Sequence, residues 1–148
     1  MQMVFNNRVK LELREMLTKA ADFYADKLGL DKELQDKIEL EILVRKGPDR
    51  GACYTSCSPK RVPKFFTIEL NPDDDISILQ TLAHEMVHLK QFATGELRLM
   101  KRCAKWKEDI WTRKKDEMDD YYDCPWEIEA FGREEGLFIR YATENYND

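Results

Sequence analysis

The chain lacks any apolar run approaching the ~20 residues that a membrane-spanning helix needs, so no helical span is expected. It also lacks internal repeats and low-complexity stretches, which removes repeat architectures from consideration. Its first residues, MQMVFNNRVKLELREML, mix charges into their apolar positions and offer neither an h-region nor a small-residue cleavage site. No signal peptide is read there, and the cytoplasm is the expected compartment. Cysteine is sparse: Cys53, Cys57, Cys103 and Cys124 would permit two disulfides, but a cytoplasmic domain of this size does not need cross-links, and free thiols are expected. Histidine is scarcer still, with two in 148 residues. A formal net charge of −5 argues against non-specific nucleic-acid binding by the molecule as a whole.

What is present suits one domain over residues 1–148, a length that buries roughly two thirds of its unfolded surface. Leu11, Leu13, Met16, Leu17, Ala20, Phe23, Tyr24 and Leu28 recur at three- and four-residue intervals. That period predicts an amphipathic helix from Val9 to Leu28, packed on a sheet and ending near Gly29. DKIELEILVRKG alternates Ile38, Leu40, Ile42 and Val44 with charged residues, a half-buried strand closed by Gly47 and Pro48. GACYTSC and KFFTIELNP read as two more strands, the second stopped by Asn71 and Pro72, giving a small three-stranded sheet. Asp73, Asp74 and Asp75 then supply negative charge at a helix N-terminus, and apolar positions from Ile76 to Phe92 take up helical period. Residues 98–123 read as a charged, partly helical insertion, and a last helix starts near Pro125 and runs toward Tyr141. The expected fold class is α+β.

Both histidines fall in one motif, His84-Glu85-Met86-Val87-His88, inside QTLAHEMVHLKQ. Helical residues four apart project from one side, so His84 and His88 can bring two imidazole nitrogens to one metal ion. Glu85, about 100° round, reaches a water at that ion. The competing explanation is a pair of satisfied core histidines. On the helical wheel, however, Leu79, Leu82, Ala83, Met86 and Val87 gather opposite the histidines, which share their side with Gln80, Thr81 and Gln91. Zinc is therefore the expected cofactor.

Catalytic zinc takes three protein ligands and keeps a fourth position open. The metzincin pattern would need glycine at 91 and histidine at 94, where the chain has Gln91 and Thr94. With no third histidine, a downstream carboxylate is the natural donor. CPWEIEAFGREEGLFIRY offers Glu127 and Glu129, about 200° apart on a helix. Trp126, Ala130, Phe131, Leu137, Phe138 and Tyr141 form one apolar face with Glu127 in its middle, whereas Glu129 lies with Arg133 and Arg140 on the charged side. A carboxylate inside an apolar stripe is costly unless paired, and metal coordination would pair it. Glu127 is the expected third ligand; Glu134, two turns on, is a candidate partner of a ligand or of an arginine.

LAHEMVHLKQFATGEL followed by YYDCPWEIEAFGREEGL resembles the small zinc peptidase-like proteins common in bacteriophage genomes and described as SprT-like metallopeptidases. The likeness covers residues 82–98 and 121–138; before them it rests on the order helix, three strands, active helix. The chain is more distantly similar to the gluzincins, whose glutamate ligand stands three residues before a small residue, as Glu127 stands before Ala130. The resemblance implies a minimal zincin-like fold in which the C-terminal helix carries the third ligand and a strand edge, with KFFTIELNP as candidate, holds a peptide. It also implies host cytoplasm if the chain is phage-encoded. Two positions depart from the pattern. Phe131 stands where many gluzincins place an acid, and the third histidine of the SprT family is missing, so that family's DNA-repair role does not carry over.

The activity these residues imply is hydrolysis of peptide bonds in a peptide or protein substrate, with Glu85 as general base. Tyr121, Tyr122 and Tyr141 are candidate donors to the developing oxyanion. The rival is a zinc-binding protein without turnover, since a scaffold this small has little room for a substrate cleft. A further candidate partner is single-stranded nucleic acid. Arg98, Lys101, Arg102, Lys105, Lys107, Arg113, Lys114 and Lys115 surround Trp106 and Trp111, although an acidic run follows them.

Overall fold

A computed structural model describes residues 1–6, 8–55, 61–112 and 121–146. Eleven elements follow one another among them: β1 (Gln2–Phe5), α1 (Leu11–Lys27), α2 (Lys32–Asp36), β2 (Glu39–Val44), β3 (Gly51–Thr55), β4 (Phe65–Leu70), α3 (Asp75–Ala93), β5 (Leu97–Leu99), β6 (Cys103–Trp106), β7 (Asp109–Thr112) and α4 (Pro125–Tyr146). The class is α+β, with four helices and two small sheets. No helix among the described residues is long and apolar enough to cross a membrane.

The first sheet has four strands in the order β1-β2-β4-β3, one more than the sequence pattern predicts. The extra strand is Gln2–Phe5, too short to show alternation by itself; it is completed by parallel pairing with Glu39–Ile42. β2 and β4 are also parallel, and β3 runs antiparallel to β4. The register matches Leu40 with Phe66 and Ile42 with Ile68, so one face presents a continuous apolar surface to the helices. The opposite face, with Val4, Tyr54 and Phe65 more than two-fifths exposed, has no second layer among the described residues.

α3 lies in the middle of the helical layer and contacts α1, α4, β3, β4 and β5. From Ile78 to Ala93 all but Gln80 and Lys90 are buried, so the helix is enclosed on every side rather than along one stripe. Its start is fixed by Asp74, whose carboxylate accepts the Ser77 amide at 2.8 Å; that bond holds the Asp74 carboxyl below its usual range. Its end turns through Thr94 into Gly95, at φ +78°. The Tyr24 hydroxyl donates to the Leu79 carbonyl at 3.0 Å, tying α1 to the same helix.

Residues 97–112 form a three-stranded antiparallel sheet, not the partly helical insertion that charge density predicts. Strands of three and four residues carry the two-residue period, with Leu97, Ala104 and Trp106 buried and Arg98 and Lys105 half-buried between them. Lysine and arginine on the outer face conceal that alternation. Trp106 is buried against Trp126, ring centroids 6.3 Å apart, so it is no free stacking platform for nucleic acid. Arg113, Lys114 and Lys115 lie outside the described residues, as does Cys57. Cys53 and Cys103 are free thiols.

Gly51 is where the first sheet touches α3. A β-carbon there would stand 2.7 Å from Thr81 Cγ2, 2.9 Å from the Glu69 carbonyl and 3.4 Å from Glu85 Cγ, whereas one on Gly47 would meet nothing within 4 Å. Gly51→Ala is expected to cost about 1–3 kcal/mol in urea denaturation by overpacking. Gly47→Ala should leave the midpoint unchanged.

Candidate metal centre

α3 and α4 make the most extensive contact between elements among the described residues, and five titratable side chains are buried in it, Glu134 (5% exposed) and four central ones. His84, Glu85 and His88 come from α3 and Glu127 from the first turn of α4, each between 4% and 8% exposed. Glu127 Oε1 is 3.3 Å from His84 Nε2 and 3.1 Å from His88 Nε2. Donor atoms of the three residues all lie within 4.8 Å of one another. Donors held at about 2.0–2.1 Å around a tetrahedral zinc stand roughly 3.3 Å apart, so two of the three separations have the size a metal needs.

The outward nitrogens of both rings are also engaged. His84 Nδ1 meets Glu134 Oε1 at 3.3 Å, and His88 Nδ1 meets Gln91 Oε1 at 2.8 Å. With each Nδ1–H donated outward, the Nε2 atoms face inward, the orientation that metal-binding histidines require. Each acceptor is itself held. Glu134 Oε2 accepts from Arg50 Nη2 at 3.0 Å, and Gln91 Nε2 donates to the Trp126 carbonyl at 2.9 Å and to Glu129 Oε1 at 3.2 Å. The Phe131 ring stands edge-on to His84, centroids 4.5 Å apart.

Electrostatics follow from this crowding. Burial alone would raise the Glu127 carboxyl, but hydrogen bonds from His84 and His88 and the charge of the rings outweigh it and bring it down to about 2. Burial would discharge His88; the hydrogen bond and charge of Glu127 prevail and raise it instead. Burial pushes Glu85 up, with His88 and His84 opposing. Cys53, on the helix-facing side of β3, is pushed well up by burial and then by the charge of Glu85. A proton on His88 thus helps to balance Glu127 where a cation could equally do so, and the buried group could hold a metal ion.

A cleft of about 990 Å³ opens over the cluster, walled by β3, α3, β5, β7, the first half of α4 and residues 121–124. A smaller hollow of about 360 Å³ on the uncovered sheet face shares only Tyr54 with it and holds none of these groups. Tyr121 and Tyr122 line the cleft, and the Tyr121 hydroxyl, raised by burial and by the neighbouring Glu127 charge, hydrogen bonds that carboxylate.

Several sequence expectations need correction here. Tyr141 is not brought to the site: it is buried among Phe23 and Tyr24, centroids 5.6 and 5.9 Å away, on the α1 side of α4. Phe131 leaves the apolar stripe and is 40% exposed, covering His84 instead. Glu129 is not on a purely charged outer face; it pairs with Lys90 Nζ at 3.2 Å and with Gln91. KFFTIELNP supplies no free edge, because β4 has β2 on one side and β3 on the other. The edge beside the cluster is β3. Arg50 and Cys53 are residues no local signal points to, since Arg50 reaches Glu134 across 84 positions of sequence. Gln91 sits three residues after His88, a spacing that permits the contact it makes.

No family model, curated protein or solved structure matches the chain. The resemblance to SprT-like proteins therefore stands on its two motifs alone.

Glu127→Ala is expected to weaken zinc binding by orders of magnitude, whereas Glu129→Ala leaves it nearly unchanged, as titration calorimetry would measure. The metal-free protein carries a second prediction. Because the Glu127 carboxyl falls from 4.5 to about 2 on folding, the native chain holds that proton less tightly than the unfolded one. Its contribution to stability is full above pH 4.5 and is lost as pH falls toward 2. Acid denaturation of Glu127→Gln should lack that component.

Proposed function

We propose that the protein is a zinc-dependent peptidase of a minimal, gluzincin-like kind, with His84, His88 and Glu127 as the ligands of Zn²⁺ and Glu85 as general base. The observation that carries this reading is the convergence of two inward-facing Nε2 atoms and one carboxylate oxygen, with Glu85 beside them, under an open cleft. Zinc bound there would supply a Lewis acid that polarises the scissile carbonyl and acidifies a water molecule.

The remaining work falls to the chain's own groups. Glu85 takes a proton from the attacking water and delivers it to the leaving amine; the burial that raises its carboxyl brings it nearer the range where such exchange is efficient. Glu134 and Gln91 fix the tilt and tautomer of His84 and His88, and Arg50 offsets the charge of Glu134. Tyr121, on the cleft and already hydrogen bonded at Glu127, is the better placed donor for the oxyanion. Tyr122 packs its ring on Tyr121 and Phe131, centroids 5.0 and 5.7 Å away. The edge of β3, unpaired among the described residues, offers main-chain groups to an extended peptide lying over the cluster.

A cleft of this size supports the enzymatic reading over that of a scaffold too small for a substrate. Glu85→Gln is expected to keep one zinc per chain, by metal analysis, while hydrolysis of a broad peptide mixture falls by roughly 10²–10⁴-fold. Undiminished turnover in that variant removes Glu85 from the mechanism. Zinc-loaded wild-type protein that cleaves nothing in the mixture establishes the non-catalytic zinc-binding reading instead.

A further inference from the structure

All three tryptophans of the chain gather in one place. Trp106 and Trp111 come from the second sheet and Trp126 from the start of α4, with ring centroids 6.3 Å apart for Trp106–Trp126 and 6.1 Å for Trp111–Trp126. Strand register dictates this. Leu97 pairs with Trp106, and Ala104 pairs with both Leu99 and Trp111, so these residues share the inner face while Arg98, Lys105 and Ile110 take the outer one.

Packing explains only part of that inner face. Leu97, Trp106 and Trp126 are buried, but Trp111 and Leu99 remain 39% and 41% exposed although they point the same way. What they face is the cleft that holds His84, Glu85 and His88. Phe92, four residues and hence about 6 Å beyond His88 along α3, and Trp126, next to Glu127, complete an apolar wall. The described residues named in this wall are all apolar.

We infer that this wall is a side-chain subsite, and that the peptide cleaved at the metal centre carries a large aromatic or long aliphatic residue beside the scissile bond. The inference rests on the zinc-peptidase reading above. Successive residues of an extended peptide lie about 3.8 Å apart, so the side chain adjoining a carbonyl at the cluster falls within the one-turn distance that separates Phe92 from His88. A benzyl or isobutyl group seated there leaves water and covers the open parts of Trp111 and Leu99, and ring-on-ring contact adds to the gain. Glycine or a charged side chain obtains none of this.

The experiment compares glycine hydroxamate with phenylalanine hydroxamate on the zinc-loaded full chain, by titration calorimetry and intrinsic tryptophan fluorescence. Both probes chelate metal, and only one carries the apolar group. Phenylalanine hydroxamate is expected to bind at least about tenfold tighter and to shift the emission, because every tryptophan lies in or against the wall. Trp111→Ala and, separately, Leu99→Ala should pull that ratio toward one, while Ile110→Ala, on the outer face of the same strand, retains it. Equal affinity for the two probes, or a ratio that survives both wall variants, overturns the subsite and leaves the zinc reading intact. Absence of zinc together with no binding of glycine hydroxamate overturns both.

Discussion

A carboxylate shut between two helices has to be balanced by positive charge, and the Glu127 contact with His84 and His88 is where this molecule meets that demand. The rest of the α3–α4 interface is arranged around it. Gln91 spans the two helices from His88 to the Trp126 carbonyl, Glu134 returns from α4 to His84, and Lys90 closes the far side on Glu129. Among the described residues only α3 is enclosed on all sides, and it carries three of the four central groups, so their positions are set by the whole core rather than by a loop. The arrangement is built on regular elements whose side chains have little freedom to drift.

The helical half of this arrangement can be read from the sequence because its information is local. His84 and His88 are fixed by a four-residue spacing, and the apolar period of the last helix encloses Glu127, where the structure buries it at 6% exposure. Glu129, one side chain away in type but on another face, ends in a different environment. A single helix stripe thus carries enough information to separate two chemically identical acids.

The half that cannot be read depends on pairing between distant segments. β1 exists as a strand only because β2 lies beside it, and β4 loses its edge only because β3 returns antiparallel. Arg50 meets Glu134 through the closing of the entire sheet-and-helix layer. In residues 97–112 the obstacle was different: charge on alternate positions looks like a solvated coil unless the intervening Leu97, Ala104 and Trp106 are recognised as a buried face. Tyr141 and Phe131 show the limit of the helical wheel. It assigns both to one stripe, but a helix that packs against α1 on one side and shields His84 on another gives them opposite surroundings.

The placement of Glu127 on α4 also has a consequence in time. Both sheets and α3 precede it, so during synthesis two imidazoles are in hand while the carboxylate that completes the trio is not yet made. On the proposed reading, the nascent chain would offer an ion two ligands at this point, and capture by all three would await docking of the last helix. Metal retention, if the trio holds an ion, would in that sense be a record that the polypeptide has closed on itself.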